Sequence, residues 1–282
     1  MKVTSFRKGG KETYGAVVDG GIVDLGTRLG DKYRDLKAVL AAGAIAEARA
    51  IAENTSPDFA VDAVEFLPVI GNPGKIVCIG HNYEEHRVET QREKSAYPTV
   101  FLRVAESLTA HGKPLVCPRE SKDLDYEGEI AIVIGKSGRR IAEAAAWQHI
   151  AGYSCFNEGS VRDWQKHTSQ FSPGKNFVNT GAFGPWVVTA DEILPGSVLT
   201  LTTRLNGQVM QHATTEQLIF SLPHLIAYCS TFTPLAIGDV IVTGTPGGVG
   251  ARRTPPVFMK PGDVVEVEVD RIGVLRNTII VD

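Results

Sequence analysis

Short apolar runs separated by glycine and proline turns recur along the chain, and they limit the folds that it can adopt. Typical runs are 75–80, 129–135, 199–205 and 263–269. The last alternates apolar and charged residues, which is typical of a strand with one buried face. Helical patterns are few and do not alternate with the strands, so the order of a doubly wound sheet is missing. The pattern predicts an α+β protein dominated by β-structure.

The chain divides on its turn signals into a small N-terminal α/β domain, 1–70, and a main domain, 71–282. In the first part, short β runs surround the turn at Asp19-Gly20-Gly21. The alanine-rich segment 36–53 that follows is typical of a helix. A turn sequence, Asn72-Pro73-Gly74, marks the boundary.

The charge and hydropathy of the chain exclude several classes of partner. A formal net charge of -3 gives no basic field for nucleic acid or an anionic membrane surface. No apolar stretch approaches the roughly 20 residues of a membrane span, and the N-terminus lacks the apolar core of a secretion signal. The four cysteines show no C-x-x-C spacing. We therefore expect a cytoplasmic protein that binds neither nucleic acid nor membranes.

Two glutamates flank a glycine at the start of an apolar run. On a strand, Glu127 and Glu129 project from one face with Cα atoms about 6–7 Å apart, and Gly128 leaves the other face open. Like charges so placed repel each other unless a cation or a proton intervenes. A solvated strand edge and a cation site both fit this pattern. The apolar residues 130–134 that follow favour the cation site.

A third acid, Glu158, falls where a predicted strand gives way to a helix. Three carboxylates without a matching histidine or cysteine favour a hard cation, Mg²⁺ or Mn²⁺. Zinc would more often recruit histidine or cysteine. The sequence thus indicates an oxygen-ligated divalent ion.

Two further patterns suggest chemistry. His86 and Glu89 lie three residues apart on a predicted helix and share a face, so the carboxylate can raise the basicity of the imidazole, although such pairs are also common on surfaces. The glycine-rich segment 245–250 follows a strand, and its backbone N–H groups and the Thr245 hydroxyl can form an anion-binding concavity. No phosphate-binding loop, serine-hydrolase elbow or dinucleotide fingerprint is present.

Seven segments in order resemble the fumarylacetoacetate hydrolase superfamily over about residues 75–282. The segments are Gly80-His81-Asn82-Tyr83 with His86 and Glu89, 125–129, 152–163, 174–177, 180–185, Asn206-Gly207 and 238–250. The resemblance implies a rolled mixed β-sheet, a homodimer, and Mg²⁺ or Mn²⁺ held by Glu127, Glu129 and Glu158. At the last position the family usually has aspartate. The longer glutamate moves the carboxylate outward or chelates bidentately, and a shifted ion, a preference for the larger Mn²⁺ and weaker binding stay open.

The resemblance also implies roles for the other motif residues. His86 becomes the general base on a mobile lid, with Glu89 as its partner, and Lys175 lies near the substrate oxygens. Its implied substrate-binding residues are Arg162, Gln165, Thr245 and Tyr83. His81 occupies a variable position of its motif and receives no role.

The function expected from this set is metal-dependent cleavage of a C–C bond in a small keto acid. The predicted substrate is an acylpyruvate such as fumarylpyruvate or maleylpyruvate from aromatic catabolism, attacked by a water that His86 activates. A pyruvate enolate would leave, stabilised by the ion and Lys175. Oxaloacetate decarboxylation and isomerisation of a 2-hydroxyhepta-2,4-diene-1,7-dioate pass through the same enolate and stay open. An inactive metal-binding scaffold is the alternative without chemistry.

Overall fold

The computed structural model describes residues 1–282 and is built mainly of strands. The strands are β1 (Lys2–Lys8), β2 (Lys11–Val18), β3 (Gly21–Asp24), β4 (Phe59–Ala60), β5 (Glu65–Phe66), β6 (Ile76–Gly80), β7 (Thr99–Arg103), β8 (Leu108–Thr109), β9 (Leu115–Cys117), β10 (Leu124–Asp125), β11 (Gly128–Ile134), β12 (Ile150–Asn157), β13 (Ser160–Val161), β14 (Gly181–Thr189), β15 (Thr200–Leu205), β16 (Gln208–Thr214), β17 (Val240–Val242), β18 (Val264–Val269) and β19 (Gly273–Val281). The α-helices are α1 (Leu25–Leu29), α2 (Leu36–Ala41), α3 (Ile45–Glu53), α4 (Glu84–Glu89), α5 (Arg162–Gln165), α6 (Ser172–Lys175) and α7 (Leu222–Phe232). None of these helices has the length and apolarity needed to cross a bilayer.

Two large sheets organise the chain, and β10 and β13 form a separate two-stranded sheet. The larger runs in the order β4-β3-β2-β1-β14-β12-β11-β17-β6-β7, with β5 beside β1 and β8 beside β14. Most of its pairs are antiparallel, but β6 and β17 run parallel, as do β8 and β14. The smaller sheet runs in the order β16-β15-β18-β19-β9. The mixed, strand-rich architecture confirms the predicted α+β class.

Strand β11 lies at the centre of the large sheet, between β12 and β17, and all seven of its residues are buried. Its isoleucines at 130, 132 and 134 belong to the apolar core shared with β15 and β18 of the smaller sheet. Ala131 and Val133 belong to a second core on the opposite face. A strand buried on both faces needs a continuous apolar run, which explains the composition of this segment.

Gly128, the first residue of β11, does not leave an open face as the sequence suggests. A Cβ atom added there would lie 2.0 Å from Thr203 Oγ1 and 3.3 Å from Val267 Cγ1. The smaller sheet therefore packs directly against the backbone of Gly128. The glycine is needed for close approach of the two sheets.

The N-terminal segment continues the large sheet. Strand β1 pairs antiparallel with β14, with Lys2 opposite Val188, and residues before and after position 70 share one apolar core. The predicted boundary falls between β5 and β6, and it stays a prediction. The alanine-rich segment forms two helices, α2 and α3, because Gly43 adopts a left-handed conformation (φ 66°) between them.

Replacing Ile132 by alanine tests the central position of β11. Ile132 is fully buried, so the Ile132→Ala variant should lose about 2–5 kcal/mol of unfolding free energy in urea titrations. Ile280, which is 43% exposed on β19, provides the matched control. If both variants lose the same stability, β11 is not the core strand described above.

Candidate metal and catalytic site

The pairing of β11 with β12 brings three glutamates together. Gly128 lies opposite Asn157, so Glu127 immediately before β11 lies opposite Glu158 immediately after β12. The Glu158 backbone N–H donates to the Glu127 carbonyl oxygen at 2.8 Å, which extends the ladder by one step. Residues opposite each other in a ladder point to the same face, and Glu129 shares that face by alternation.

The three carboxylates form a compact, buried cluster. One oxygen from each of Glu127, Glu129 and Glu158 lies within 4.8 Å of the others, and each residue is at most 4% exposed. Glu158 Oε1 is buried without a hydrogen-bond partner. An all-oxygen donor set with an unused buried acceptor fits a hard divalent cation. These residues could therefore hold such an ion.

Two buried cations pair with part of this cluster. Lys175 Nζ donates to Glu127 Oε2 and lies 3.1 Å from Glu158 Oε2. Arg162 contacts Glu127 Oε1 at 2.7 Å through Nη2, and Asp125 Oδ2 at 2.8 Å through Nε. Glu129 makes no ion pair and accepts a hydrogen bond only from the backbone N–H of Gly244. An ionised Glu129 is therefore the least compensated charge of the cluster.

The pKa values reflect this uneven pairing. Burial raises the pKa of Glu129 well above its usual value, and the charges of Glu158 and Glu127 raise it further. Burial alone would also raise the pKa of Glu127, but Arg162 and Lys175 outweigh it, and the pKa of Glu127 is lowered. For Lys175, burial opposes the charged form, yet Glu127 and Glu158 raise its pKa, so it stays an ammonium.

Helix α4 presents the predicted base and its partner. His86 Nδ1 lies 3.1 Å from Glu89 Oε2, and the other carboxylate oxygen of Glu89 accepts the Gly248 backbone N–H at 3.0 Å. When Nδ1 donates to Glu89, Nε2 is left unprotonated and able to accept a proton. Glu89 therefore orients the imidazole and also fastens α4 to the glycine-rich segment.

A cavity of about 490 Å³ connects these groups. Of the predicted site residues, its walls include His86, Glu127, Glu129, Glu158, Arg162, Gln165, Lys175 and Thr245. Gln165 accepts a hydrogen bond from Arg162 Nη1 at 3.0 Å, which ties it to the same network. Glu89 lies behind His86 and outside the cavity wall.

Two of the predicted substrate contacts, Tyr83 and Thr245, do not offer a free hydroxyl to the cavity. Tyr83 is 1% exposed and does not line the cavity, because the chain at the start of α4 turns its ring into the interior. Thr245 lines the cavity, but its hydroxyl donates to the Gly128 carbonyl and accepts from Gln211 Nε2. Its proton is thus committed to the protein, and the expected donation to a substrate carboxylate is not available in this structure.

The glycine-rich segment binds anions that the protein itself supplies. In this segment and at the two residues that flank it, the backbone N–H groups of Gly244 and Gly248 donate to Glu129 and Glu89, and those of Gly250 and Ala251 donate to Asp125. The predicted concavity therefore joins the carboxylate cluster, helix α4 and Asp125, which pairs with Arg162. Asp125 received no role from the sequence, although it lies two residues before Glu127 in the motif 125–129.

Arg103 and His81 are further residues that the sequence analysis did not assign. Arg103 is buried and donates to the Gly159 carbonyl, Thr180 Oγ1 and Ser107 Oγ, which fixes the turn after Glu158. His81 follows β6 directly and lines the cavity. A basic residue at the end of a strand and a histidine in a glycine motif give no positional signal by themselves.

Comparison with known proteins gives consistent matches. Residues 75–280 match the family model described as fumarylacetoacetate (FAA) hydrolase C-terminal. The mitochondrial oxaloacetate tautomerase fahd2 of Xenopus laevis is 41% identical over 219 residues, covering 77% of this chain and 69% of that protein. Oxaloacetate tautomerase YisK of Bacillus subtilis (strain 168) is 40% identical over 225 residues, or 78% and 75% of the two chains. The solved structure of fumarylacetoacetate hydrolase from Exiguobacterium antarcticum has a TM-score of 0.85 at 30% identity and covers 100% of both chains.

The unpaired charge of Glu129 predicts a pH-dependent effect of the Glu129→Gln substitution. Because the folded pKa is raised, the folded chain binds more protons than the unfolded chain, and wild-type stability falls as pH rises from about 4.3 through the raised value. In chelated buffer at pH 8 the variant should therefore be more stable by about 1–3 kcal/mol, and the difference should shrink towards pH 5. Urea titrations of the two proteins at pH 8 and pH 5 measure the difference in unfolding free energy.

Adding Mg²⁺ or Mn²⁺ should make the wild type more stable than the Glu129→Gln variant, the reverse of their order in chelated buffer. The wild type should gain stability on binding the ion, whereas Glu129→Gln should gain little because it has lost a ligand. Glu216→Gln, at an exposed position without an ion pair, is the control. A variant that responds to the ions as the wild type does would contradict the three-carboxylate site.

Proposed function

Since the chain belongs to the fumarylacetoacetate hydrolase family, we propose that it is a metal-dependent enzyme that interconverts the keto and enol forms of oxaloacetate. Its support from the comparisons is the 41% and 40% identity to proteins named oxaloacetate tautomerases. Its support from the geometry is a single observation: a buried three-carboxylate cluster and an oriented imidazole line one cavity. A keto acid bound in this cavity would contact the imidazole, which can transfer a proton, and the carboxylate cluster, whose ion would stabilise negative charge.

The ion we propose is Mg²⁺ or Mn²⁺, held by Glu127, Glu129 and Glu158. Carboxylate ligands alone are the usual donors for both ions. When bound, the ion would supply a Lewis acid that polarises the 2-keto group of the substrate. Glu158 Oε1, which has no partner within the protein, is available to it.

The residues of the chain carry the proton transfer. In the keto-to-enol direction His86, with Nδ1 donating to Glu89, accepts a proton from the carbon next to the keto group through Nε2 and delivers it to the keto oxygen. The reverse direction moves the proton from that oxygen back to the carbon. Lys175 stays protonated and offers its ammonium to the negative oxygen that develops. Arg162 holds Glu127 and Gln165 in place and leaves the carboxylate cluster in a fixed geometry.

Hydrolysis of an acylpyruvate is the second candidate. The same His86–Glu89 pair can deprotonate a water, and the cavity of about 490 Å³ exceeds what a four-carbon acid needs. Decarboxylation of oxaloacetate and isomerisation of an unsaturated diacid also pass through an enolate that carries its negative charge on the 2-oxygen. A panel of these substrates, following enol absorbance and release of pyruvate and CO₂, distinguishes the four reactions. An inactive scaffold would bind the ion and turn over none of them.

The proposal also covers the oligomeric state of the protein and its location in the cell. We propose a homodimer, because Leu102, Val104 and Val178 expose apolar side chains beside the edge strand β7 of the large sheet. Light scattering on the purified protein measures the mass directly. The expected cytoplasmic location stays a prediction, because one relative is named as mitochondrial and the other is bacterial.

The His86→Asn substitution tests the proposed base. It should lower the rate of oxaloacetate enolisation by about 10²–10⁴-fold, because proton transfer loses its acceptor. Binding of Mn²⁺, measured by calorimetry or electron paramagnetic resonance, should change little because no carboxylate is altered. His212→Asn, at an exposed position outside the cavity, is the control. An undiminished rate in His86→Asn would remove His86 from the mechanism.

A further inference from the structure

A second cavity adjoins the one that holds the carboxylates. It has a volume of about 450 Å³ and shares five wall residues with the first, namely Gly80, His81, Arg92, Thr99 and Phe171. Neither the predicted metal ligands nor His86 line it. A molecule that occupied both cavities would have its reacting end at the carboxylates and its distal end in this outer cavity.

His81 lies in the partition, the wall that both cavities share. Its backbone is left-handed (φ 56°), a conformation that non-glycine residues seldom adopt outside turns and functional sites. The imidazole stacks on that of His86 with centroids 5.4 Å apart and an interplanar angle of 11°, and it meets the edge of Phe171 at 6.1 Å. Burial, with His86 and Arg92, lowers the pKa of His81 to about 4, so the partition is an uncharged ring.

The outer cavity has an aromatic lining. Its walls include Tyr97, Phe171 and Phe220, and Ile219 adds an aliphatic surface. Tyr97 stacks on Tyr228 of α7 at 6.2 Å, which holds the segment after α4 against that helix.

The charged residues of the outer cavity do not favour a ligand of either charge. Arg87 is paired with Glu84 on its own helix. Arg92 and Glu93, which also line the cavity, carry opposite charges. A flat, uncharged group is the best match to this lining.

We propose that the outer cavity is a binding subsite for the distal acyl group of a 2,4-diketo acid, and that it selects an aromatic or unsaturated, uncharged group. The proposal rests on the proposed function, because it places the reacting keto acid at the carboxylate cluster. Oxaloacetate ends before the partition at His81 and does not enter the subsite. The chain thus accepts longer acids beside the four-carbon one.

The test compares three keto acids on the metal-loaded protein: oxaloacetate, acetylpyruvate and benzoylpyruvate. Apparent affinity is taken as KM where an acid is turned over, and as an inhibition constant against oxaloacetate enolisation where it is not. The wild type should bind benzoylpyruvate about three- to ten-fold more tightly than acetylpyruvate, since aromatic contacts add to the same metal-directed head group.

Tyr97→Ala and Phe220→Ala should remove most of this preference and leave the constants for oxaloacetate unchanged. Both side chains are at least partly exposed, so the variants should fold, which thermal unfolding verifies. Phe232→Ala is the matched control, because Phe232 contacts Tyr228, the residue of α7 on which Tyr97 stacks, but lies outside the cavity. Its preference should equal that of the wild type.

Equal affinity of the wild type for acetylpyruvate and benzoylpyruvate would overturn the subsite, as would a preference that survives both substitutions. Failure of the proposed function looks different. In that case oxaloacetate would not be enolised, whereas a preference for benzoylpyruvate that Tyr97 and Phe220 control, measured by calorimetry, would still support the subsite.

Discussion

The antiparallel pairing of β11 with β12 is the constraint on which the site depends. It places Glu127 opposite Glu158 and Glu129 on the same face, at the end of a strand that is buried on both sides. The cost of burying these carboxylates is only partly offset by Lys175 and Arg162. The fold supplies the stability that maintains this charge imbalance, and a divalent cation is the group that would relieve it.

The glycine-rich segment links this rigid centre to the helix that carries the base. Backbone N–H groups of this segment and of Gly244 just before it donate to Glu129, Glu89 and Asp125. One stretch of backbone therefore contacts the carboxylate cluster, α4 and the carboxylate that pairs with Arg162. Any displacement of the segment would change the hydrogen bonds of Glu129, Glu89 and Asp125 together. This arrangement explains how a histidine on a short helix is held in a fixed position relative to carboxylates on a sheet.

Much of this could be predicted from the sequence, for identifiable physical reasons. Alternation along a strand predicts that Glu127 and Glu129 share a face, helical spacing predicts the contact of His86 with Glu89, and the motifs predicted the family. Long-range packing could not be predicted. Thr203 approaches Gly128 from another sheet, Tyr83 turns inward, and the Thr245 hydroxyl is taken by Gly128 and Gln211. Each of these features depends on a residue that is distant along the chain, so a local sequence pattern cannot predict the contact.

The contact of Gly128 with the smaller sheet has a consequence for how the site assembles. A slip of β11 by one residue would drive a glutamate side chain into the space that Thr203 and Val267 fill, and would turn the isoleucines away from their core. Such a misaligned chain could not close its two sheets. Docking of the sheets therefore selects against this register, and apolar packing fixes the relative positions of the three carboxylates.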